Sequence, residues 1–113
     1  MTFDCQDAEA VARFWEAVTG YGTEFVLDPG NPYWVLRPPG AEFPRLVFVT
    51  VPEEKSTKNR VHLDIVARDR TQGEEVARLT ELGARVVDDR RSIQPVGWVV
   101  MADPEGNEFC VEE

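Results

Sequence analysis

The stretch GWVVMADPEGNEFCVEE, Gly97 to Glu113, constrains the fold more than any other part of the chain. Trp98, Val99, Val100 and Met101 are strand formers, and Phe109 and Val111 alternate with polar neighbours. Between them, Asp103-Pro104-Glu105-Gly106-Asn107 has the chemistry of a tight turn: glycine supplies positive φ, and the aspartate caps backbone N–H groups. The segment predicts a strand, a turn and a closing strand. That turn is architecture rather than catalysis.

Upstream of this hairpin the chain repeats one pattern. In the first half, Thr2 to Cys5 reads as a strand. Asp7 then reads as an N-cap, and Ala10, Val11, Phe14, Trp15 and Val18 follow at helical spacing up to the stop at Gly20. Glu24 to Leu27, Tyr33 to Arg37 and Arg45 to Val51 read as strands, separated by Pro- and Gly-rich turns. A polar connector, Pro52 to Lys58, cannot sit inside a sheet. The pattern then restarts, with a strand over Val61 to Ala67 and a helix over Thr71 to Leu82 that Gly83 stops. Strands over Arg85 to Asp88, Trp98 to Ala102 and Glu108 to Glu112 complete it. Strand, helix and three strands occur twice, and neither half covers its sheet alone, so the two halves are expected to pack as one domain.

Composition narrows the function classes. With 113 residues, 42% apolar and 29% charged, the chain is ordinary globular material. The net charge of −9 argues against nucleic acid, because phosphate binding needs a basic face. It fits either plain solubility or an acidic rim that attracts a cationic ligand. No apolar run approaches the roughly 18 residues of a membrane span, and no secretory leader pattern is visible, so no membrane partner and a cytoplasmic location are expected. Cys5 and Cys110 are far apart in sequence and read as reduced thiols.

Three stretches in order, Asp7 to Gly20 with its Phe14-Trp15 pair, Lys58 to Asp64 and Gly97 to Val111, resemble the vicinal oxygen chelate superfamily, specifically its small glyoxalase-like members. The resemblance implies an α+β fold. Two βαβββ modules would form a curved mixed sheet around a concave cavity, with helices on the outer face. One domain would span 1–113, with module one about 1–52 and module two about 60–113. In metal-dependent members it also implies four ligands: a His or Glu on the opening strand, a Glu on the last strand of module one, a His at the place of His62, and a Glu three residues after the DPEGN turn. Only His62 matches. The last position is Cys110, the strand Arg45 to Val51 has no carboxylate, and the opening strand offers Asp4. Zinc accepts His and Cys but needs a third ligand that the sequence does not identify. Hard ions want several oxygen or imidazole donors. The expectation is therefore no metal and no cofactor.

Strand alternation then assigns faces. Val61, Leu63 and Ile65 form the apolar set against the helices, as do Phe109 and Val111. His62 and Asp64 share the concave face with Cys110, and Glu108 and Glu112 face inward or lie at the rim. His62 fits an acid/base group, a hydrogen-bonding ligand contact, or a packed histidine without function. Asp64 either orients His62 or pairs with backbone, Arg60 or Lys58. Cys110, among acidic neighbours, reads as an inert pocket thiol. Trp34, Trp98 and Phe48 are candidate cavity walls, with core packing as their other reading.

The expected function is a metal-free, small-molecule-binding protein similar in kind to those of the bleomycin-resistance type. It would sequester a planar or cationic compound among Trp34, Phe48, His62, Trp98 and Cys110. The first alternative is a metal-independent isomerase or lyase using His62 with Asp64; the second is a metal-dependent lyase or dioxygenase of the same fold. A homodimer is expected, because a small curved sheet and a helix carrying Phe14 and Trp15 leave apolar surface to cover.

Overall fold

The structure is a computed structural model that describes residues 1–93 and 96–113. The chain divides into two compact units, Met1–Glu54 and Lys55–Glu113. The first contains β1 (Thr2–Cys5), α1 (Ala8–Thr19), β2 (Gly22–Val26), β3 (Tyr33–Arg37) and β4 (Leu46–Thr50). The second contains β5 (Asp64–Val66), α2 (Gln72–Glu81), β6 (Arg85–Asp89), β7 (Val99–Ala102) and β8 (Glu108–Glu112). Each is thus a βαβββ unit, and the fold class is α+β. The two four-stranded sheets have equivalent orders, β1-β4-β3-β2 and β5-β8-β7-β6. In both, the first strand pairs parallel to the last and the other pairs are antiparallel.

In the first unit, Asp7 caps α1 by accepting from the Ala10 N–H at 3.1 Å, and Gly20 ends it in the left-handed conformation. The helix buries Ala8, Val11, Ala12, Phe14 and Trp15. Beneath it, one rank of aromatic residues crosses the whole sheet, because the register aligns Phe3, Phe48, Trp34 and Phe25 on neighbouring strands. Phe3 stacks on Phe48 at 5.0 Å and lies 5.8 Å from Trp15, while Phe25 tilts against Trp34 at 4.9 Å. The Arg13 guanidinium of α1 sits 5.0 Å from the Trp34 ring centroid.

In the second unit, Thr71 and Glu74 form a reciprocal capping box at the start of α2. Glu75, buried on that helix, is clamped by Arg70 at 2.9 Å and Arg78 at 2.7 Å. The Arg78 hydrogen bond, helped by Arg70, holds its carboxyl below the usual range although burial opposes this. The core is Val76 and Leu79 of α2 with Val99, Met101, Phe109 and Val111 of the sheet, the last four with no exposure at all. Gln72 ties the helix to the sheet by donating to the carbonyls of Gly97 (3.1 Å) and Val111 (3.0 Å).

Two sequence expectations need correction here. The strand expected over Val61 to Ala67 is only β5, and Val61 is 70% exposed rather than set against the helix. Only the Leu63 carbonyl, accepting from the Cys110 N–H at 2.8 Å, extends the pairing upstream of Asp64. Trp34 and Phe48 lie on the α1 side of their sheet, not on its opposite face. Their shared rank with Phe3 and the Trp15 and Arg13 contacts fix that orientation.

Candidate functional site

A groove of about 750 Å³ opens on the face of the second sheet opposite α2. Parity builds it. Asp64, Cys110, Val100 and Asp88 are register partners across β5, β8, β7 and β6, so all four project to one side. Ile65, Val111 and Val99 project to the other, toward the helix. His62, Trp98, Val96, Val87 and Arg90 complete the walls, with Lys58, Glu108 and Glu112 among the charged lining. The volume falls in the range of small-molecule sites, about 300–1,000 Å³.

At the centre, three side chains expected on this face converge. The His62 Nδ1 lies 3.3 Å from Asp64 Oδ1 and 3.8 Å from Cys110 Sγ. Asp64 therefore faces His62, and among the described residues it forms no ion pair with Arg60 or Lys58. Burial pushes the Cys110 thiol up to about 11, and Asp64 and then Glu112 add to that. At neutral pH it is a protonated thiol and a poor nucleophile.

The rim is mostly acidic, and two of its carboxylates, Glu108 and Asp88, are ion-paired. Glu108 accepts from the Asn59 backbone N–H at 3.0 Å and pairs with Lys55 at 3.1 Å. Burial alone would raise its pKa, but these two partners outweigh it and hold the carboxyl low. Arg90 pairs with Asp88 at 2.5 Å and lies 5.8 Å from the Trp98 ring centroid, so it braces one wall of the groove. Gly97 packs so closely on the neighbouring loop that a Cβ there would sit 2.4 Å from the Arg91 carbonyl oxygen. Only glycine lets the backbone before Trp98 pass this close to Arg91.

Of the sequence-derived candidates, the groove brings together His62, Asp64, Trp98 and Cys110 and leaves Trp34 and Phe48 in the first unit's aromatic rank. Sequence reasoning missed Val87, Asp88, Arg90 and Val96. The ladder between β6 and β7 slips between Val86 and Asp88, a bulge that strict alternation does not reveal.

Hard divalent ions need several oxygen or imidazole donors at one place. Asp4, on β1, and β4, which has no carboxylate, offer nothing like a set of hard oxygen donors within the first unit. In the second unit, His62, Asp64 and Cys110 present one nitrogen, one oxygen and one sulfur, all within 4.8 Å of one another. A thiol in place of a carboxylate does not fit Mg²⁺ or Mn²⁺ chemistry.

Two βαβββ units with equivalent strand orders and a groove on the helix-free face of a sheet define the vicinal oxygen chelate class. The chain belongs to the Glyoxalase-like domain family, which matches residues 1–112. The fold is shared with a glyoxalase family protein from Enterococcus faecalis (TM-score 0.72, 16% identity, covering 100% of this chain and 94% of that one). It is shared also with an E126Q mutant of the fosfomycin resistance protein FosX from Listeria monocytogenes, complexed with Mn(II) and 1S,2S-dihydroxypropylphosphonic acid (TM-score 0.75, 11% identity, 99% and 87% covered). FosX from Mesorhizobium loti is a third (TM-score 0.70, 15% identity, 99% and 86% covered). No curated protein matches the sequence. Among the described residues, no helix is long and apolar enough to cross a membrane.

Proposed function

We propose that this protein binds a small molecule in the groove of its second unit, one molecule per chain, and sequesters it without turnover. The carrying observation is the groove itself: about 750 Å³, walled by Trp98, Val87, Val96 and Val100, with His62 and Cys110 at its centre and Asp64, Asp88, Glu108 and Glu112 around them. An indole wall takes a planar compound by stacking, and a lining in which four carboxylates outnumber two cations, Lys58 and Arg90, favours one carrying positive charge. Such binding needs no hard divalent ion of the kind bound to the Listeria protein. The two free cysteines, both buried, fit a reducing compartment, and we assign the protein to the cytoplasm as a homodimer.

The test is calorimetric titration with a panel of planar cationic compounds and their neutral analogues, with each mixture then analysed for product. The reading expects saturable one-to-one binding, preference for the cation, unchanged compound after incubation, and loss of binding in Trp98→Ala. Conversion of the compound would overturn it. The 3.3 Å contact between His62 and Asp64 favours that second outcome, a metal-independent isomerase or lyase in which Asp64 orients His62 as acid/base. Under that alternative, activity would vanish in His62→Ala.

A further inference from the structure

We infer that His62, Asp64 and Cys110 form a binding site for one thiophilic, borderline divalent ion of the zinc class. The sequence left zinc short of a third ligand; the fold supplies Asp64. Zinc takes bonds of about 2.3 Å to sulfur and about 2.0–2.2 Å to nitrogen and oxygen, in tetrahedral array. Donors around such an ion must then stand about 3.3 Å (nitrogen to oxygen) and about 3.5 Å (sulfur to nitrogen) apart. The separations here are 3.3 Å from Nδ1 to Oδ1 and 3.8 Å from Sγ to Nδ1, with all three donor atoms within 4.8 Å of one another, so small side-chain rotations bring them to binding geometry. As the sulfur–metal bond forms, the Cys110 thiol releases its proton to solvent.

All three donors come from the second unit and two of them from one short segment, His62 and Asp64 flanking Leu63. The set differs from the one that the family resemblance implies, in which Asp64 has no counterpart and the last ligand is a glutamate. Sulfur in that last place moves the preference from oxygen-seeking ions to zinc, cobalt and cadmium. Because the three donors line the groove, the ion's remaining position faces it, as in three-ligand zinc sites that keep one place open. Carboxylates outnumber cations in the lining, Asp64, Asp88, Glu108 and Glu112 against Lys58 and Arg90, which favours the arrival of a cation there. This site stands whether or not the groove also takes an organic compound.

The experiment uses the full chain without an affinity tag, stripped of metal and free of organic ligand, titrated with Co²⁺, Zn²⁺ and Mn²⁺. One equivalent of Co²⁺ per chain is expected, with the intense visible bands of tetrahedral cobalt and a thiolate-to-cobalt charge-transfer band. Zn²⁺ should erase both stoichiometrically, and Mn²⁺ should not. Asp64→Ala, at a side chain 59% exposed, keeps the fold and should weaken Zn²⁺ binding by more than about tenfold, since even outer-shell partners of a metal carry about 10–100-fold. Cys110→Ser should remove the charge-transfer band. Wild-type protein that binds no Co²⁺, or binds it without the thiolate band, overturns the proposal. So does displacement of Zn²⁺ by equimolar Mn²⁺, or an Asp64→Ala variant that is folded by circular dichroism and binds Zn²⁺ as tightly as wild type.

Discussion

His62 and Phe109 are served by the same sheet but project to opposite sides of it, so truncating them makes opposite demands. The His62 side chain is 38% exposed in the groove, and Phe109 is fully buried against the helix side. His62→Ala should leave the fold intact and weaken ligand binding by about 1–2 kcal/mol, the scale of one hydrogen bond. Phe109→Ala should cost about 3–5 kcal/mol of stability by opening a cavity. Urea denaturation of both variants checks the pair; an unfolded His62→Ala beside an unaffected Phe109→Ala would invert the assignment of faces. That assignment was legible residue by residue because apolar alternation in a half-buried strand has one physical cause. It misplaced Val61, which is exposed, and it left Trp34 and Phe48 open between core and pocket wall, since a large aromatic side chain suits either. Only the register that lines them up with Phe3 under α1 separates the two. Nor did parity show that Nδ1 of His62 faces a carboxylate and a thiol at once, because side-chain torsions are not written in strand period.

Among the elements, the β7–β8 turn carries the clearest sequence signal and the densest polar support. Asp103, buried at the turn, accepts from the backbone N–H groups of Glu105 (3.0 Å) and Asn107 (2.9 Å) and from the Asn107 side chain, while Gly106 turns with φ of 91°. Asp103→Ala should therefore cost about 1–3 kcal/mol, the penalty for stranding buried donors. Thermal unfolding measures it, and a melting temperature equal to wild type would remove the turn from the list of structural determinants. Helices were legible for the same local reason: Asp7 and Gly20 bound α1, and Thr71 with Glu74 opens α2. β5 was overextended because the run from Val61 to Ala67 alternates like a strand although pairing with β8 begins only at Asp64. Alternation records which side chains are apolar, not whether a neighbouring strand reaches them.

At the scale of the whole molecule, exposed apolar side chains and net charge set two expectations. Leu27, Phe43, Val61 and Val66 are all more than half exposed, and burying them against a second copy is the expected remedy. Light scattering at micromolar concentration should give twice the 12.8 kDa chain mass; a monomer mass would refute pairing. The second expectation concerns acid. Glu16 is held low mainly by the Thr23 hydroxyl, Glu75 mainly by Arg78, Glu108 by the Asn59 N–H and Lys55, and Asp89 is held near 2 by Arg91. A carboxyl whose folded pKa is depressed adds stability that is complete above its unfolded value, about 4 for these groups, and is lost as pH falls through the folded one. The unfolded chain then binds more protons than the native one, so stability must fall on that side. From pH 7 toward 5 the opposite influence acts, since the −9 charge shrinks as the isoelectric point near 4.6 is approached and self-repulsion eases. Urea midpoints should thus hold or rise slightly from pH 7 to 5 and drop steadily from about 4 to 2. A midpoint at pH 3 equal to that at pH 7 would mean that these pairs contribute nothing to folding.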